Sequence, residues 1–104
     1  MNTSVRAELW LPPPGRSWHV EAGEHWDAVR VPRTVGLAVL KTLGDAHGAV
    51  ICDAWTRILY FLTEPGTTTG WNVPDTFACG PATYVMVPAL AAPEQALHWQ
   101  SAPP

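Results

Sequence analysis

The sequence predicts a small α+β domain, a mainly antiparallel sheet of about six short strands with one helix near residues 33–43. Three observations lead there. The chain has 104 residues, enough for one core and too few for two. Its 47% hydrophobic content is cut by glycine and proline into short runs rich in β-branched and aromatic residues. One segment, RTVGLAVLKTLG, instead carries apolar residues at helical spacing.

Taken in order, residues 1–16 end in LPPPGR and read as an N-terminal proline-rich arm, with a short edge strand around Ala7–Leu11. The proline triplet favours polyproline II geometry, which suits a stiff connector or a recognition ligand. Residues 17–104 form the single domain. In SWHVEAGEHWDAVRVP, apolar residues alternate around Trp18/Val20 and around Trp26/Ala28 or Val29/Val31, so two short strands flank a turn at Ala22–Gly23 in hairpin fashion. Pro32 then opens a helix that Gly44 ends. Val35, Val39 and Leu43 mark it, with Leu40 beside them. Gly36 inside it costs about 1 kcal/mol relative to alanine, which implies close packing there or a later start.

AVIC and RILYFL pair antiparallel across the turn DAWT. TEPGTTTGW is a loop. TFACG and TYVMVP form a second strand pair broken at Gly80-Pro81, and LHWQ is a last edge strand.

The net charge of −3 and the scattering of six cations over positions 6, 16, 30, 33, 41 and 57 disfavour a nucleic-acid groove, which needs clustered positive charge. No apolar run approaches membrane-spanning length and no secretory leader opens the chain, so the expectation is a cytoplasmic protein with no membrane partner. Its alanine-, proline- and arginine-rich composition, with a single lysine, fits a GC-rich bacterial source. Cys52 and Cys79 read as small buried hydrophobes, with a cross-strand disulfide conceivable only in an oxidising compartment. Of six tryptophans, some should be exposed, since an indole favours a core edge or a pocket wall.

No glycine-rich nucleotide loop, Cys-x-x-Cys or Gly-x-Ser-x-Gly motif is present, so no cofactor and no nucleophile is nameable. HVEAGEH offers histidines and glutamates without a metal-ligand spacing, and no metal is expected. Asp53 has two readings: an acid acting with His47 or Asp45, or the residue that closes the turn by bonding backbone N–H groups.

The segments GAVICD, ILYFLTEPGTTTGW, GPATYVMVPA and HWQSAPP follow one another over about residues 48–101. In that order they resemble the N-terminal primase-polymerase domain of bifunctional DNA primase/polymerases, as a divergent, shortened relative. That family holds two divalent metals on an acid pair one residue apart, and a histidine precedes its Leu-Tyr-Phe strand. Here Asp53 matches one acid, Trp55 stands at the other, and Ile58 preceded by Arg57 stands at the histidine. The resemblance thus implies a shared fold without polymerase activity.

The candidate binding residues are Asp53, Trp55, Arg57, Tyr60 and Trp71, an aromatic and cationic set suited to a flat ligand or a partner's side chain. Three functions follow in order of expectation. The first is non-catalytic, an accessory or regulatory protein that binds another protein through its Trp- and Pro-rich surface. The second is a small enzyme or small-molecule binder with a Trp-lined pocket for an aromatic compound. The third is nucleotide or single-stranded nucleic-acid binding.

Overall fold

The computed structural model describes residues 9–103. Its elements run β1 (Ser17–Glu21), β2 (Asp27–Pro32), α1 (Arg33–Leu43), β3 (Val50–Asp53), β4 (Ile58–Thr63), β5 (Phe77–Cys79), β6 (Tyr84–Pro88) and β7 (Leu97–Ser101). A five-stranded sheet has the order β5-β2-β4-β3-β7, β1 and β6 form a separate two-stranded ribbon, and every pairing is antiparallel. The α+β class read from the sequence is the observed one.

Side-chain alternation along the central strands sets the layers. On one face of the larger sheet Ala28, Ile51, Leu62 and Cys79 pack against Val85 and Val87 of the ribbon. On the other, Val29, Val31, Val50, Cys52 and Leu59 pack under Leu40 of α1. The helix, the large sheet and the ribbon are therefore three layers around two apolar seams. The β3–β4 hairpin pairs as its sequence predicts, from Val50 opposite Phe61 to Asp53 opposite Ile58, and β7 lies at the sheet edge beside β3.

Two predicted pairings are replaced. β1 and β2 do not form a hairpin with each other, nor do β5 and β6; β1 joins β6, while β2 takes β4 and β5 as neighbours. The reason is burial. Trp26 and Asp27 are fully enclosed where the chain passes from the ribbon to the large sheet, and a flat hairpin would leave them in water. Gly23 makes that corner with φ +101°, and a Cβ there would stand 2.7 Å from the Pro81 ring. Pro81 belongs to the return crossing, and the two crossings are tied by the Ala22 N–H donating to the Thr83 carbonyl at 2.7 Å.

The helix has the predicted bounds, with Pro32 before it and the Gly44 N–H donating to the Leu40 carbonyl at 3.0 Å. Its apolar stripe is not the face it buries. Gly36 is the helix's one buried residue, and a Cβ there would lie 2.6 Å from Leu59 Cδ1 and 2.9 Å from Val31 Cγ2. Close packing, not a later start, accounts for this glycine. The helix backbone rests on the sheet at Gly36, so Val35, Val39 and Leu43 face outward.

In the arm, Leu9 and Trp10 lie in a turn and Leu11 is irregular, so the expected edge strand is absent from its described part; Ala7 and Glu8 lie outside the described residues. Trp10 is only 1% exposed and belongs to the core. Its ring meets Trp26 edge-on, with centroids 5.8 Å apart, and Trp99 at 6.1 Å. Cys52 and Cys79 are free and buried, in the two seams on opposite faces of the sheet. That placement removes the cross-strand disulfide considered from sequence, because their side chains point apart.

Candidate functional site

The turn between β3 and β4 answers the question of Asp53. Its Oδ1 accepts the backbone N–H groups of Trp55 at 3.1 Å and Thr56 at 3.3 Å, the bonding by which aspartate fixes a tight turn. The last loop residue, Arg57, takes φ 59°, and its carbonyl receives the N–H of Arg33 at 2.8 Å. The hairpin end is thus fastened to the start of α1. Trp55 projects from this turn, 82% exposed.

Register divides the candidate residues. Asp53 and Tyr60 share the ribbon-side face of the large sheet, where Tyr60 stands opposite Arg30, and Arg30 stands opposite Phe77. Tyr60 is partly buried against the ribbon-side core. Burial pushes its phenol above the ordinary range, and the Arg30 guanidinium partly offsets this. Trp71 sits in the loop before β5, its indole N–H donating to Thr76 Oγ1 at 2.8 Å. No hydrogen bond among the described residues joins Trp71 to the turn.

Arg57 instead meets the helix. With Pro32, Arg33, Thr34 and Leu37 it lines a cleft of about 430 Å³. Arg33 and Leu37 also wall a second cleft, of about 300 Å³, with Ala54 of the turn and Glu94, His98 and Gln100. Along the helix itself a groove of about 510 Å³ follows Thr34, Ala38 and Thr42 between Val35, Val39 and Leu43. Thr34 borders both this groove and the Arg57 cleft, so the turn and the helix present one continuous surface.

That surface has a defined chemistry. Val35 and Val39 are 47% and 40% exposed. On a helix Arg33, Leu37 and Lys41 fall on one edge at four-residue intervals, while Val35, Val39 and Leu43 form the opposite edge. No acidic residue occurs in Arg33–Leu43, and Arg33, Lys41 and Arg57 make no ion pair among the described residues.

Arg57, with Trp55 projecting from the same turn, is therefore brought together with helix residues that the sequence reading did not select. One signal for them was present: RTVGLAVLKTL spreads apolar residues over more of the helix circumference than one buried face requires. Asp27 was also missed. It is 1% exposed, and its Oδ2 accepts the N–H groups of Gly66 and Thr68 and the Thr68 hydroxyl, pinning the 64–70 loop.

Elsewhere, His25 lies 3.8 Å from Glu24, and no three His, Cys, Asp or Glu side chains converge among the described residues. His98 is buried, its Nδ1–H donating to the Ala96 carbonyl at 3.0 Å. No helix among the described residues is long and apolar enough to cross a membrane. Compared with known proteins, the chain matches no family model, no curated protein and no solved structure.

Proposed function

We propose that the protein is a binding module that docks another protein on the surface formed by α1 and the β3–β4 turn, without catalysing a reaction. The observation that carries this reading is the outward apolar edge of α1. Val35, Val39 and Leu43 are each at least 40% exposed on a helix whose one buried residue is a glycine. A contiguous apolar strip rimmed by polar groups is characteristic of interaction surfaces. Trp55 adds an exposed indole on the turn that adjoins the start of α1, and tryptophan is enriched among residues that dominate binding energy. The groove along α1 is open rather than enclosed, which suits side chains of a macromolecule better than an enclosed small ligand.

The test is site-specific photo-cross-linking in the cell of origin. A benzophenone side chain at position 39 or 55 is expected to capture the same protein. A control at position 84, on the ribbon at the far side of the large sheet, is expected to miss it. Capture from position 84 alone would move the interface to the ribbon and defeat the reading.

A further inference from the structure

We infer that the occupant of this surface is an amphipathic helix carrying acidic residues along one edge, rather than a second copy of the chain. The inference rests on the docking reading above and adds the chemistry of the partner.

Shape comes first. The helix has 11 residues, about 16 Å at 1.5 Å per residue, which matches three turns of a helix laid alongside. The groove floor of Thr34, Ala38 and Thr42 is made of small side chains, and the Val35, Val39 and Leu43 ridge rises on one side. Small residues at a helix contact let a second backbone approach closely, and apolar knobs at three- and four-residue spacing then fill the groove.

Charge decides between occupants. The other edge carries Arg33 and Lys41, with Arg57 of the turn beside Arg33. None is paired among the described residues, and no acid lies within the helix to offset them. The nearest acid in sequence on the C-terminal side, Asp45, falls beyond the Gly44 cap. Two acids stand near this edge, Glu94 in the cleft with Arg33 and Asp53 in the turn that carries Arg57, so the three cations leave a local positive excess on a chain that is acidic as a whole, at −3. An antiparallel two-fold pairing of copies through α1 would set these cationic edges against each other, and like charges facing across an interface oppose association. A helix with glutamate or aspartate on its matching edge meets the same three cations with opposite sign.

The probes are two synthetic peptides of about three heptads, both with leucine on one face. One carries glutamate on the flanking positions and the other carries lysine. The acidic peptide is expected to bind at least about 10-fold more tightly, a difference near 1.4 kcal/mol. That preference should shrink as salt rises and reverse in R33E/R57E. Equal affinities, a preference for the lysine peptide or no binding of either would overturn the acidic partner. A concentration-dependent doubling of mass by light scattering that Val39→Gln abolishes would overturn it in favour of a second copy. In each of these cases the cross-links from positions 39 and 55 still report independently on whether the surface is an interface at all.

Discussion

Gly36 shows at the residue scale how a local preference yields to packing. Helix propensity alone favours alanine there by about 1 kcal/mol. The added methyl would stand 2.6 Å from Leu59 Cδ1, and Leu59 is fully buried with neighbours on every side. Overpacking a filled seam costs about 1–3 kcal/mol. Gly36→Ala is therefore expected to lower the urea midpoint, and a raised midpoint would show that the seam has slack. The two thiols give a pH signature. Burial raises both Cys52 and Cys79, with Arg33 and Arg30 respectively pulling the other way. Above about pH 8.5 the thiols of the unfolded chain release protons while the folded ones hold theirs. The folded state then binds more protons, so stability falls as pH rises through the folded-state values. Unfolding free energy should decline between neutral and strongly alkaline pH, and the decline should be shallower in Cys52→Ala/Cys79→Ala. An equal slope in that double variant would assign the decline to other groups.

Among the elements, the β3–β4 turn separates folding from binding most cleanly. Arg57 occupies the left-handed region at φ 59°, where a side chain costs about 1 kcal/mol that glycine avoids. Its guanidinium side chain meanwhile lines the cleft against α1. Arg57→Gly should therefore match or exceed the wild-type thermal midpoint while weakening partner capture; a less stable variant would mean that the side chain supports the fold. The elements also differ in how far the sequence revealed them. The β3–β4 hairpin and the bounds of α1 were legible because their signals are local: Asp53 with its turn, Pro32 and Gly44 at the helix ends. The partners of β1, β2, β5 and β6 were not. Adjacent strands that look like hairpins in sequence are divided between two sheets because Trp26 and Asp27 need an enclosed corner, a demand that appears only when both sheets are assembled. Asp27 was hidden for the same reason, since its hydrogen-bond partners lie 39 and 41 residues away.

For the whole molecule, the one helix among the described residues is the key asymmetry. Among the described residues, the large sheet is covered on one face by the ribbon, with Trp10, Val85 and Val87 in the core between, and on the other by α1, seated through Gly36 and Leu40. A lone helix bearing apolar residues on both its inner and outer sides completes one seam and begins another. Of the candidate residues, Arg57 belongs to this outer surface and Trp55 projects from the same turn, whereas Asp53 serves the turn and Tyr60 faces the ribbon side. The aromatic set picked out in sequence therefore spans two faces of the sheet, and spacing along the chain could not divide it. The decisive measurement is capture of the cross-linked protein from position 55 by V35Q/V39Q, after its urea midpoint has been compared with that of Leu59→Ala, a core truncation expected to lose about 2–5 kcal/mol. The expected result is a midpoint near wild type and loss of the adduct. Undiminished capture, or a midpoint as low as that of the core truncation, would contradict it.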